Sequence, residues 1–127
     1  MTALAVALGG AAGALARYWV SGWVQELSAG TFPWGTLTVN VVGSFILGFL
    51  LVWLQASLAS SELRALLTIG VLGSFTTFST FSWETAALLQ DGEWTRAGFY
   101  VAGSLLVGLL AVILGAASAE LLLQPRG

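Results

Sequence analysis

The sequence predicts an all-α integral membrane protein with four transmembrane helices, and three observations support this. Hydrophobic residues make up 57% of the 127 residues and charged residues only 8%, whereas soluble domains carry about a quarter charged residues. The apolar residues form four long segments, at 3–23, 34–54, 63–89 and 97–123. Each segment is long enough to cross a hydrocarbon core of about 30 Å as a helix. We therefore expect one membrane domain over 1–127.

The composition excludes several function classes. The chain has no cysteine and no histidine, which excludes disulfides, thiol catalysis, haem ligation by histidine and the usual zinc sites. The net charge of -2 leaves no basic face for nucleic acid. No paired carboxylates lie inside a span, and Ser79 has no base at a triad spacing. We therefore expect the protein not to be an enzyme.

The first span combines a packing surface with an unusual charge. Gly9, Gly13 and Arg17 recur every fourth residue and share one helix face. The two glycines form a small-xxx-small surface that suits helix packing. Arg17 has two open interpretations: its side chain extends to the interface, or it faces a water-filled entrance and attracts an anion.

The second span carries a narrow polar stripe after a helix start at Pro33. Thr36, Asn40, Ser44 and Gly48 follow one another at intervals of four residues. Asn40 is the most costly member, because an amide in hydrocarbon must be hydrogen-bonded. It serves either as interhelical glue or as an N–H donor to an anion, and the spacing does not separate these roles.

The third span contains the stretch 73–81, around which the rest of the chain is organised. Nothing charged lies between Arg64 and Glu84, so this stretch should sit deep in the bilayer. Its glycine, serine and threonine residues loosen a helix, and their hydroxyls can satisfy freed backbone groups. We therefore predict an interruption from Gly73 to Thr77, since broken backbone at membrane depth occurs inside protein or beside a polar cavity. The alternative is an ordinary helix with a polar packing stripe.

The second half of this span is expected to begin at Ser79, Thr80 and Phe81. Phe78 and Phe81 lie three residues apart and share a helix face. Phenyl rings carry a positive edge, so two edges turned into a cavity favour an anion without adding charge. The alternative for both rings is core packing. The third span as a whole should start at an N-cap serine, either Ser60 or Ser61.

The fourth span repeats the polar pattern, and the loops leave the orientation open. Tyr100, Ser104 and Gly108 form a third stripe at intervals of four residues.

The positively charged residues are divided equally between the two sides of the membrane, with Arg64 and Arg126 on one side and Arg96 and Arg17 on the other. A chain without an excess on one side can insert in both directions, and two opposite copies can pair.

These residues resemble a known family over all four spans, in order. The string from Thr76 to Phe81 is the most specific part. The chain is similar to the CrcB/Fluc fluoride channel family in three motifs: Gly9-Gly10-x-x-Gly13-x-x-x-Arg17-Tyr18, Gly35-Thr36-Leu37-x-Val39-Asn40-x-x-Gly43-Ser44-x-x-x-Gly48, and Gly70-x-x-Gly73-Ser74-Phe75-Thr76-Thr77-Phe78-Ser79-Thr80-Phe81-Ser82-x-Glu84.

The resemblance implies an architecture and an activity. It implies an antiparallel, dual-topology homodimer of four-helix subunits in the bacterial inner or plasma membrane. Two pathways in the dimer would let fluoride leave the cell passively. A sodium ion on the two-fold axis would be held by backbone carbonyls of the third-span break, here Gly73 and Thr76.

The resemblance also implies roles for side chains. Gly108 stands where a further hydroxyl is sometimes found, which leaves that end of the track open. The motif positions suggest mouths at Arg17 and Glu84. The implied fluoride pathway comprises Asn40, Thr77, Phe78, Ser79, Thr80, Phe81, Tyr100 and Ser104.

Two other functions agree with four apolar spans. A small multidrug transporter would need a carboxylate in the first span, which instead carries Arg17 and has no acid before Glu26. A non-transporting membrane scaffold would need neither a broken third span nor three polar stripes.

Overall fold

The computed structural model describes residues 1–125, and all of its regular structure is helical. The elements are α1 (Thr2–Ser28), α2 (Trp34–Ala56), α3 (Ser61–Arg64), a π-helix (Ala65–Leu72), α4 (Gly73–Phe75), α5 (Phe78–Gln90) and α6 (Trp94–Leu123). Four stretches are long and apolar enough to cross a membrane, namely Thr2–Ser28, Trp34–Ala56, Ser61–Gln90 and Trp94–Leu123. The predicted all-α chain with four such segments is confirmed.

The ends of the first and third spans differ from simple hydropathy limits. α1 continues through Ser28, beyond the expected end at residue 23, and stops where Ala29 takes a left-handed conformation (φ 48°). No glycine or proline lies between Trp23 and Ala29 to end it earlier. The predicted serine cap is confirmed at Ser60, whose hydroxyl accepts the Leu63 N–H (3.2 Å). Arg126, which entered the charge comparison, lies outside the described residues.

The third span changes helix type twice before the backbone becomes extended. The π-helix is followed by α4, and then Thr76 (φ -84°, ψ 156°) and Thr77 (φ -148°, ψ 123°) are extended. We expected the interruption to begin at Gly73, but Gly73–Phe75 is helical. The reason is that the Gly73 N–H still bonds to the carbonyls of Gly70 and Thr68. α5 likewise begins at Phe78, one residue before the predicted Ser79.

Close helix contacts rely on glycine, as predicted for Gly9 and Gly13. A Cβ on either residue would overlap the main chain of the π-helix, at the carbonyl oxygens of Leu66 and Val71. Gly48 and Gly115 play the same part between α2 and α6, which form the most extensive interface of the fold. The small-xxx-small packing surface is thereby confirmed, and α2 is held in the centre of the fold between α1 and α6.

Candidate functional site

The first component of the site is a pair of hydrogen bonds between α2 and the extended segment. Asn40 Nδ2 donates to the Thr77 carbonyl oxygen (3.0 Å), and the Thr77 N–H donates to Asn40 Oδ1 (2.7 Å). The side-chain amide thus bonds to both backbone groups of Thr77, which lies between the two helical parts of the third span. Of the two roles left open for Asn40, the structure supports interhelical glue. One amide hydrogen of Asn40 has no partner within residues 1–125 and remains able to donate.

The second component is a group of hydroxyls at the start of α5. Thr77 Oγ1 accepts the Thr80 N–H (3.3 Å) and donates to Thr80 Oγ1 (3.0 Å). Ser79 Oγ lies 3.4 Å from the same Thr77 oxygen. Thr77 is therefore the N-cap of α5, a usual role for threonine. The structure thus brings together three of the five hydroxyl residues that the resemblance implies for the pathway.

These bonds also free carbonyl oxygens in the preceding turn. In a continuous helix the carbonyl of Gly73 would accept the Thr77 N–H, and that of Thr76 would accept the Thr80 N–H. Here Asn40 takes the first donor and Thr77 Oγ1 takes the second. The Gly73 and Thr76 oxygens are thus left without their helical partners. Among the described residues no cluster of three or more His, Cys, Asp or Glu could hold a metal ion.

An open cavity of about 300 Å³ lies where α2 meets these residues. None of the described residues that line this neutral cavity has an ionisable side chain. The two phenyl rings lie side by side, with their centroids 5.7 Å apart, and Phe78 is 78% exposed. Its lining comprises Asn40, Gly43, Ser44, Leu47, Thr68, Leu72, Gly73, Thr76, Thr77, Phe78, Phe81 and Leu105.

A separate polar cluster is centred on a carboxylate. Glu84 accepts hydrogen bonds from Thr36 Oγ1 (2.8 Å) and from the Tyr100 hydroxyl (2.6 Å), one on each oxygen. Tyr100 is fully buried, and its ring centroid lies 5.1 Å from that of Phe81. The ring of Phe81 therefore connects this cluster to the neutral cavity. Glu84 also lines a second cavity of about 320 Å³ together with Asp91.

Two predicted residues belong neither to the lining of the neutral cavity nor to the Glu84 cluster. Arg17 lines a third cavity of about 370 Å³ with the side chains of Thr77 and Thr80. Both interpretations of Arg17, at the interface or at a water-filled entrance, agree with this position. Ser104 does not line the cavity beside Asn40. Its hydroxyl is buried and has no hydrogen-bond partner within residues 1–125.

Sequence reasoning missed three contributions to the site. Thr36 was assigned only to a polar stripe, whereas it binds Glu84. Thr68 lines the neutral cavity from the π-helix; the sequence contained no signal for it. Gly43 allows the extended segment to approach α2, because a Cβ there would overlap the Thr76 methyl group. Its position three residues after Asn40 was the available signal.

Comparison with known proteins places the chain in a family. The family model described as CrcB-like protein, Camphor Resistance (CrcB), matches residues 4–116. Three relatives carry the name fluoride-specific ion channel FluC. The Geobacter metallireducens protein is 50% identical over 121 residues, covering 94% of this chain and 98% of its own. The Thermus thermophilus protein is 52% identical over 112 residues, 88% of each chain. The Paramagnetospirillum magneticum protein is 46% identical over 130 residues, 96% and 98% of the two chains.

These relatives decide between the broad function classes considered from the sequence. They bear the name of an ion channel and not of an enzyme, in agreement with the expectation that this protein is not an enzyme. Neither the family match nor the relatives' names point to a multidrug transporter or a scaffold. With four apolar helices able to span a bilayer, the chain belongs to the CrcB family of multi-pass bacterial membrane proteins.

Proposed function

We propose that this protein is a fluoride-selective channel through which fluoride leaves the cytoplasm passively, which lowers its toxicity. Its similarity to proteins named fluoride-specific ion channel supports the choice of ion. The observation that carries the proposal is the cavity in which the Asn40 amide, the Thr77 main chain and two phenyl rings meet without a charged group.

The chemistry of this cavity suits a small anion that binds weakly and is conducted onward. Fluoride is strongly hydrated, so a path through hydrocarbon has to replace its water with fixed donors. A full positive charge at the centre would bind the ion too tightly, since conduction requires sites that are easy to enter and to leave. Amide N–H groups, hydroxyls and the positive edges of Phe78 and Phe81 are weak donors of this kind.

The path is proposed to continue from this cavity along the fourth span. The ring of Phe81 leads to Tyr100, and Ser104 lies one helical turn further on α6. The buried hydroxyl of Ser104 has no partner in the described part of the chain, so it is free to donate to an ion. Arg17 and Glu84 would act at the mouths, where each lines a cavity of its own.

The interruption of the third span is proposed to lie in mid-membrane and to hold a sodium ion. The carbonyl oxygens of Gly73 and Thr76 have lost their helical N–H partners, and such oxygens suit a hard cation. A sodium ion bound there would partly offset the cost of an anion nearby.

The functional unit is proposed to be an antiparallel homodimer. Phe78 is 78% exposed in the single chain, and the cavity that it lines is open. A second copy packed over this face would enclose the cavity and bring the Gly73 and Thr76 carbonyls of both chains to one axis. The equal division of arginines between the two sides supports insertion in both directions.

A flux assay tests the proposal. Purified protein is reconstituted in liposomes loaded with fluoride or chloride, and release is followed with ion-selective electrodes. We expect fluoride release much faster than chloride release, with protein-free liposomes as the control. Dissipating the proton gradient should leave fluoride release unchanged, because no proton coupling is involved. Equal release of the two halides would rule out a fluoride-selective channel.

A further inference from the structure

Ser44 belongs to the neutral cavity but is not among the residues of the proposed fluoride pathway. It lies one turn after Asn40 on α2 and lines the same cavity as Phe78 and Phe81. Its side chain is half-buried, and its hydroxyl donates to the Asn40 carbonyl oxygen (2.7 Å). The hydroxyl is thus held beside the amide that binds the extended segment.

This hydroxyl can change partner at low cost. In an α-helix the Asn40 carbonyl already accepts the backbone N–H of Ser44, so the hydroxyl makes a second bond to an oxygen that is satisfied without it. The neighbouring polar side chains are less able to rotate. The Asn40 amide holds both backbone groups of Thr77, and Thr36 is bound to a carboxylate.

The neighbouring helix α6 leaves room for such a movement. Gly108 on α6 faces Ser44: a Cβ built on Gly108 would have Ser44 Oγ as its nearest neighbour, at 4.0 Å. Because glycine adds no side chain, open space adjoins the hydroxyl. This space is needed both for the hydroxyl to rotate and for an ion to come within hydrogen-bonding distance.

We propose that Ser44 is a fluoride-binding residue whose hydroxyl turns from the Asn40 carbonyl to the passing ion and back. This inference rests on the proposed fluoride conduction and adds one donor to it. In the resting position the proton of Ser44 is engaged by the Asn40 carbonyl. When fluoride is present, the ion becomes the stronger acceptor because it carries a full charge. When fluoride leaves, the carbonyl takes the proton again, so that release exposes no unsatisfied group.

The test compares three variants with the wild type in fluoride-loaded liposomes. Ser44→Ala should lower the rate of fluoride release about fivefold, the factor that corresponds to the difference between a hydrogen bond to a charged acceptor and one to a neutral carbonyl. Ser44→Thr retains a hydroxyl that can bond the same carbonyl and should restore most of the rate. Ser118→Ala is the matched control, since Ser118 makes the same bond to Leu114 at 2.7 Å and lines none of the cavities described above; its rate should equal that of the wild type.

Thermal unfolding in detergent separates ion binding from a structural role. Alanine is a better helix former than serine, so Ser44→Ala should unfold at or above the wild-type temperature while conducting more slowly. Wild-type release from Ser44→Ala would overturn the inference, as would slow release from Ser44→Thr or a loss of stability that accounts for the slower rate. If the wild type itself released no fluoride, the proposed function would fail instead.

Discussion

The side-chain amide of Asn40 and the main chain of Thr77 form two hydrogen bonds in opposite directions, at 3.0 and 2.7 Å. Asparagine is well suited to this task because its amide presents an N–H donor beside a carbonyl acceptor, as a peptide group does, and has a second N–H to spare. The two residues are separated by 37 positions in the chain. This pairing connects the centre of α2 to the point where the third span becomes extended.

Replacement of Asn40 by alanine should therefore affect both stability and conduction. Asn40→Ala leaves the N–H and the C=O of Thr77 without partners, at a cost of about 1–3 kcal/mol for each buried group. We expect a clear drop in unfolding temperature and a loss of fluoride flux. Gln55→Ala is the control, because Gln55 is an exposed amide near the end of the same helix. An Asn40→Ala protein as stable as wild type would show that water satisfies Thr77 and that the pairing is dispensable.

The two phenyl rings can be tested through their edges. Phe78→Ile and Phe81→Ile keep an apolar side chain but remove the positive ring edge, so fluoride flux should fall severalfold while assembly stays measurable by size-exclusion chromatography. Phe99→Ile provides a matched control on the exposed face of α6 and should conduct normally. If both site variants kept the wild-type flux, the rings would serve only for packing.

Gly13, where α1 crosses the π-helix, should not be replaceable by a larger residue without a loss of stability. Gly13→Ala places a methyl group onto the Val71 carbonyl oxygen, and such overpacking costs about 1–3 kcal/mol. Gly22→Ala in the same helix is the control: a Cβ there meets nothing within 4 Å, so helix propensity should raise stability by about 0.5–1 kcal/mol. Thermal unfolding of both proteins measures the difference. Equal stability of the two variants would mean that α1 shifts freely on the π-helix.

Orientation can be tested with lysines on opposite sides of the membrane. Ser28→Lys with Gln90→Lys adds charge to one side, and Gln55→Lys with Ser57→Lys adds it to the other; all four positions are exposed. Each double variant should insert in a single direction and conduct poorly when expressed alone. Expression of both together should restore fluoride flux, because opposite copies are then available. Full flux from one uniformly oriented variant would contradict the antiparallel dimer.

The sequence by itself determined the features that depend on neighbouring residues in the chain. Hydropathy over about 20 residues identified the four membrane segments, because the thickness of the bilayer sets that length. Helical periodicity put Gly9 and Gly13 on one face, and local cap chemistry limited the N-cap of the third span to Ser60 or Ser61. Each of these needs only the pitch of a helix or the chemistry of one turn.

The tertiary structure decided which polar groups meet. Asn40 could have bonded another helix or an ion, and only the rotation of α2 against the third span brings it to Thr77. Glu84 is bound by Thr36 and Tyr100 from two other helices, a convergence that spacing within one helix does not encode. The start of the extended segment at Thr76, and not at Gly73, likewise depends on hydrogen bonds carried forward from the π-helix. Periodicity along a chain defines a face, whereas the partner of that face depends on how the helices pack.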